Sequence, residues 1–205
     1  LSVNTIYKNN SNHPINQIIG NEKDKNIYFT SSKFKILNNQ NVVLKERSFA
    51  IKDIKKIDET YYSYAASGLC GLFKVSNKKS KWDNLHSKNL NTPTNFNESA
   101  LIKSNGKSTA FNPENNCIYY ATNMGLKFVN SNGVNEIKFQ NKPLYITNLQ
   151  SYNNVVYALS TSEELYKIDS KNSVTKVSIF EKHLKERFTK FKIQENSIFI
   201  FTTNG

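Results

Sequence analysis

Short apolar runs separated by polar turns recur along the chain in a fixed order: apolar strand, polar turn, apolar strand, loop, strand, turn, strand. The second run of each copy is the most uniformly apolar, as in Ile27-Tyr28-Phe29, Ile118-Tyr119-Tyr120, 155–159 (VVYAL) and Ile198-Phe199-Ile200-Phe201. Uninterrupted apolarity over so few residues fits a strand covered on both faces. The outer runs alternate instead, as in Leu165-Tyr166-Lys167-Ile168 and 134–139, which sets one face against a neighbour and the other in water. Asn132-Gly133 is a hairpin signal, and 112–116 (NPENN) is a polar turn of the same kind. No helical stripe of period 3.6 accompanies these runs.

The copies fall at 15–49, 51–82, 108–139 and 146–180, and a fifth begins at 188 and reaches residue 205 after two strands. Measured on the apolar residue that opens the third strand, Phe34, Leu72, Leu126 and Leu165 are separated by 38, 54 and 39 positions. A period near 40 with four strands per copy is the signature of propeller blades. The expected fold is therefore all-β: a single propeller segment over 1–205, with four four-stranded antiparallel blades and the start of a fifth. Such a propeller is partial or open unless residues 2–7 lend a strand or the chain continues, and continuation is the expectation.

Alternating strand direction sorts the loops onto two faces. With strands A to D in each blade, the A–B and C–D hairpins share one face, and the B–C loops and interblade links share the other. The long interval is read as an insertion, 83–105, in the link after the second blade. That reading puts it on the B–C face beside loops 30–33, 66–70, 122–124 and 160–164. Long loops in a compact fold are usually functional or disordered. The candidate ligand-binding residues are accordingly Lys33, Trp82, His86, Asn123, Met124 and Glu163.

Composition narrows the function more than it names it. Aromatic residues reach 12%, a supply suited to strands, and the chain carries 28 Lys and Arg against 16 Asp and Glu, a net charge of +12. That excess favours anionic partners in principle, but 31 asparagines beside abundant Lys and Ile point to compositional bias, with lysines guarding strand edges and turns. A nucleic-acid partner is not expected. A polyanion held by Lys78, Lys79 and Lys81 is a lesser alternative. His13, His86 and His183 have no metal-spaced partners, and no nucleophile elbow, phosphate loop or dinucleotide fingerprint occurs. The expectation is a protein without catalytic residues, metal or cofactor. Cys70 and Cys117 are expected to sit at opposite ends of strands, too far apart to bond, as small buried residues. No apolar stretch is long enough to span a bilayer, so any membrane attachment would come from segments outside this chain.

The unit IYYATNMGLKFVNSNG at 118–133 resembles the repeat of bacterial two-component regulator propellers, with Tyr119, Thr122, Gly125 and Leu126 on the matching positions. VVYALSTSEELYKID at 155–169 is also similar to repeats of cell-surface and secretion-associated bacterial propellers. The first resemblance implies a non-catalytic, extracytoplasmic (periplasmic or cell-surface) ligand-sensing module. It would bind carbohydrate or another small ligand, or a protein partner, and could act as a homodimer. The second implies a scaffold for cell-surface or secretion assemblies.

Overall fold

The computed structural model describes residues 15–21, 25–30, 34–38, 43–47, 50–75, 78–87, 98–177, 187–195 and 197–203. Four antiparallel meanders follow one another. The first is β1 (Ile15–Asn21), β2 (Lys25–Thr30), β3 (Phe34–Asn38) and β4 (Val43–Arg47); the second is β5 (Ile51–Lys56), β6 (Tyr61–Ala66), β7 (Cys70–Lys74) and β8 (Glu98–Ile102). The third is β9 (Gly106–Asn112), β10 (Cys117–Thr122), β11 (Gly125–Asn130) and β12 (Gly133–Phe139), extended at its outer edge by β13 (Lys142–Pro143). The fourth is β14 (Ile146–Tyr152), β15 (Val155–Ser160), β16 (Leu165–Ile168) and β17 (Val174–Lys176), and β18 (Phe188–Gln194) with β19 (Ser197–Thr202) forms a two-stranded fifth sheet. The first strand of each sheet lies beside the first strand of the next, β1 by β5, β5 by β9, β9 by β14 and β14 by β18. This is the arrangement of a β-propeller, and its described sheets do not close a ring.

Blades pack face to face through the second strands. Every residue of β6 and β10 is buried, as the apolar run at 118–120 required, whereas the run at 155–159 leaves Val155 and Tyr157 half-buried. Tyr62, Tyr64 and Ala66 join one apolar cluster with Ile51, Ile54 and Phe73. Tyr61 and Ala65, on the opposite side of the same strand, join another with Ile118, Tyr120 and Val129 of the third blade. A third cluster joins Tyr119, Ala121 and Leu126 to Ile146, Val156 and Ala158 of the fourth blade. In β19 the pattern stops: Phe199 is 52% and Phe201 46% exposed, while Ile198 and Ile200 pack inward. One face of the fifth sheet is covered and the other is not.

The second blade corrects three expectations. Its fourth strand is not the stretch ending at Trp82 but β8, in register with β7 as Cys70↔Ile102, Gly71↔Ala100 and Leu72↔Ser99. The blade therefore runs 51–102 rather than 51–82, and the long segment is a C–D excursion inside it, not a link at 83–105. The physical reason lies in residues 78–87. Ser80 and Lys81 turn into the short helix α1 (Asp83–Ser87), whose Asp83 accepts hydrogen bonds from Tyr61 Oη (2.7 Å), Lys74 Nζ (2.6 Å) and Ser80 N (3.0 Å). Those bonds hold its carboxyl well below the usual range, Lys74 contributing most. Trp82 and Leu85, one helical turn apart, both enter the cluster between the second and third blades. The third-strand count also shifts, because Cys70 pairs with Ala65 where Leu126 pairs with Ala121 and Leu165 with Leu159. Cys70, not Leu72, is the equivalent of Phe34, Leu126 and Leu165. Gly71 follows because a Cβ there would lie 2.0 Å from the Ser99 carbonyl oxygen.

Candidate functional site at the propeller axis

Each innermost strand carries a β-bulge at the same height. The register jumps between Ile15 and Gln17, Ile51 and Asp53, Ala121 and Thr122 opposite β9, Ile146 and Asn148, and Phe188 and Lys190. The extra residues are Asn16, Lys52, Lys107, Thr147 and Thr189, and a bulge turns its residue out of the ladder. Next to the last four bulges, the first residue of the B–C turn continues the pairing. Ser67 N donates to Ala50 O, Asn123 N to Asn105 O, Thr161 N to Tyr145 O and Thr203 N to Arg187 O, all within 2.8–3.0 Å.

In the first three blades the residue after the bulge reaches sideways to the next blade. An innermost strand has one edge without a ladder partner, so its amides must find acceptors elsewhere. Gln17 Oε1 accepts from Ile54 N at 3.4 Å while its Nε2 donates to Ile54 O at 3.0 Å. Asp53 Oδ2 accepts from Thr109 N at 2.9 Å and from the Ser108 hydroxyl at 2.6 Å. Ser108 Oγ in turn accepts from Leu149 N at 3.0 Å. The relay breaks at Asn148, whose side chain has no hydrogen-bond partner among the described residues. Gln150, two residues on, clasps the fifth blade instead, accepting from Ile193 N at 2.9 Å and donating to Ile193 O at 3.1 Å.

These strands line an axial channel, open on the side where the ring is not closed, in two parts that share lining residues. At the B–C end a cavity of about 420 Å³ is lined by Gln17, Lys52, Asp53, Lys55, Lys107, Ser108, Thr147, Asn148, Thr189 and Lys190. Toward the A–B end a cavity of about 560 Å³ shares Lys55, Asn148 and Lys190 and adds aromatic walls from Phe111, Phe191 and Phe201. A second cavity on the B–C face, also about 560 Å³, lies between the third and fourth blades beside Tyr145, Glu164, Tyr166 and Lys176. Of its charged groups, Glu164 and Lys176 pair with each other, and Lys142 is a further cation in the lining. Glu164 accepts from Lys176 Nζ and Tyr166 Oη, each at 2.6 Å, and Lys176 above all pulls its carboxyl down to about 2. Burial, then the bond to Glu164, pushes the Tyr166 phenol up to about 12.

The residues expected to bind ligand do not come together. Asn123, Met124 and Glu163 are on the B–C face. Asn123 accepts from Ser104 Oγ, Met124 is 60% exposed, and Glu163 holds its turn with a φ of 66°. Trp82 and His86 belong to the C–D excursion and so sit at the A–B end; Trp82 is 3% exposed and stacks edge-on to Phe111 at 6.0 Å. Trp82 thus fills the interblade core rather than a binding surface, because the excursion leaves from strand C. Lys33 lies outside the described residues. Cys70 and Cys117 are separate buried thiols. The axial residues were missed because Lys52, Lys107 and Lys190 read in sequence as the water-facing half of an alternating strand. Among the described residues, no group of acidic, His and Cys side chains could hold a metal ion, and no helix is long and apolar enough to cross a membrane.

No family model and no curated protein matches the chain. Solved structures do match in fold. The extracellular domain of the hybrid two component system BT4673 from B. thetaiotaomicron aligns with a TM-score of 0.70 at 12% identity, over 98% of this chain and 27% of that one. BamB from Moraxella catarrhalis aligns at 0.61 and 8% identity over 90% and 53%, and YCF48 from Cyanidioschyzon merolae at 0.60 and 12% over 97% and 70%. This chain therefore spans about a quarter of the first of these proteins and about half of the second. Topology, blade packing and these neighbours agree that the chain is a β-propeller, similar in fold to an extracellular domain of a two component system.

Proposed function

We propose that the chain is a non-catalytic, extracytoplasmic ligand-binding module of a sensory regulator, and that its ligand enters the axial channel from the B–C face. The observation that carries this reading is the convergence of polar side chains from five successive inner strands on one cavity: Gln17, Asp53, Ser108, Asn148 and Lys190. Its two parts have the size of small-molecule sites. Asn148 stands at the break of the relay, with its amide left for a ligand. The fold likeness to the extracellular domain of BT4673 supports the sensory context. Binding across several blades would favour one relative setting of those blades, which is the differential affinity a sensor needs.

The test is a calorimetric screen of small neutral and anionic solutes against the 205-residue chain and against Asn148→Leu. One-to-one binding that Asn148→Leu weakens strongly, with the ligand recovered unchanged, is the expected result. Binding that Asn148→Leu leaves intact would move the ligand site off the axis. Chemical turnover of the ligand would overturn the non-catalytic reading.

A further inference from the structure

We propose that the B–C end of the axial channel is an anion site, built for a small hydroxylated ligand that carries two or more carboxylate or phosphate groups. This rests on the axial channel being the binding site. Among the described residues, four ammonium groups, Lys52, Lys55, Lys107 and Lys190, line this cavity against a single carboxylate, Asp53. That carboxylate is already engaged by Ser108 Oγ, Thr109 N and, at 3.3 Å, Lys55 Nζ. Lys52, Lys107 and Lys190 have no ion-pair partner among the described residues.

Their placement is a product of the backbone. Lys52 and Lys107 are the extra residues of two bulges, and Lys190 directly follows a third. Three blades therefore deliver a cation to the same height of the axis. Like charges gathered in a concavity bounded by protein repel one another, and an anion with several charged groups relieves that repulsion while gaining attraction to each. Between the cations stand neutral groups, the Asn148 amide and the hydroxyls of Thr147 and Thr189. Each threonine hydroxyl donates to a carbonyl, Thr147 to Leu159 O at 3.1 Å and Thr189 to Phe201 O at 3.0 Å, so its oxygen is left to accept a bond from a ligand hydroxyl.

The experiment is titration calorimetry of the whole chain with three probes: pyrophosphate, digalacturonate and the neutral disaccharide cellobiose. Pyrophosphate binding alone identifies a phosphorylated ligand class, and digalacturonate binding alone a carboxylated one. Either outcome supports the proposal if affinity falls steeply with added salt and if Lys52→Ala, Lys107→Ala and Lys190→Ala each weaken it about tenfold or more. Circular dichroism establishes that each variant is folded. Lys78→Ala and Lys79→Ala, exposed in the C–D excursion, should leave affinity unchanged. An equal loss in those two variants would reduce the effect to overall charge and overturn the proposal. Cellobiose bound at Asn148 with neither anion bound would overturn the anion site while the axial binding site stands. If no probe binds, the anion site is refuted, and the wider solute screen decides on the channel separately.

Discussion

Replacing Ser108 by Ala tests how the blades are joined at the axis. The hydroxyl is fully buried, donates to Asp53 Oδ2 at 2.6 Å and accepts from Leu149 N at 3.0 Å, so it bridges the second, third and fourth blades. Its removal deletes a bond to a carboxylate, worth about 1.5–3 kcal/mol, and leaves a buried amide unpaired, a cost of about 1–3 kcal/mol. Ser108 borders the axial cavity, so water entering from there offsets part of that loss. Allowing for relaxation, Ser108→Ala should lower stability by about 2–4 kcal/mol, which for a domain of this size is a fall in Tm of roughly 5–15 °C. Urea denaturation should show a lower midpoint at unchanged slope. Asp53→Ala removes the same bond from the other side and frees Thr109 N as well, so the double variant should lose clearly less than the two single losses added together. A loss below about 0.5 kcal/mol for Ser108→Ala, or additive losses in the cycle, would refute the relay as a source of stability.

Glu164 makes the fourth blade acid-sensitive. Its carboxyl is lowered from an ordinary value of 4.5 to about 2, so its contribution is complete above about 4.5 and fades as pH falls through 2. Glu164→Gln should flatten the acid limb of a stability profile between those values, and an unchanged limb would count against it. Burial pushes the Cys70 thiol up to about 12 and raises that of Cys117, so neither should react with Ellman's reagent at neutral pH until the protein unfolds; prompt reaction of the native chain would contradict this. The uncovered face of β19 predicts self-association in dilute buffer, and Phe199→Ser with Phe201→Ser should reduce it in sedimentation velocity. A native chain that stays monomeric at high concentration would remove the ground for that expectation.

The strands were most legible where the second and third blades share one burial scheme. Ile118-Tyr119-Tyr120 announces a strand closed on both faces, and β10 is buried at every position. The second blade was misread where local pattern and pairing part company. Trp82 has the apolar character of a strand end, yet it reaches the core from a helical turn, while the strand itself, ESALI, arrives after the excursion with only Ile102 and Ser99 buried. That displacement carried the long segment to the wrong face in the sequence reading and took Trp82 and His86 with it. The axial relay was illegible for a different reason. Gln17, Asp53 and Ser108 share no chemistry beyond an oxygen that can accept a bond, and what makes them equivalent is the bulge before each of them. A bulge has no residue signature.

The common height of the bulges separates two duties that most binding sites entangle. In the second and third blades the residue at the bulge, Lys52 or Lys107, lines the channel, and its neighbour, Asp53 or Ser108, fastens one blade to the next. Exchanging Lys52, Lys107, Thr147 or Thr189 therefore alters what the channel meets while the fastening at Asp53 and Ser108 stays in place. Repertoire and cohesion occupy adjacent positions of the same strands and can drift independently, so copies of this architecture could acquire new ligands by substitutions at a few points around the axis without first becoming more stable.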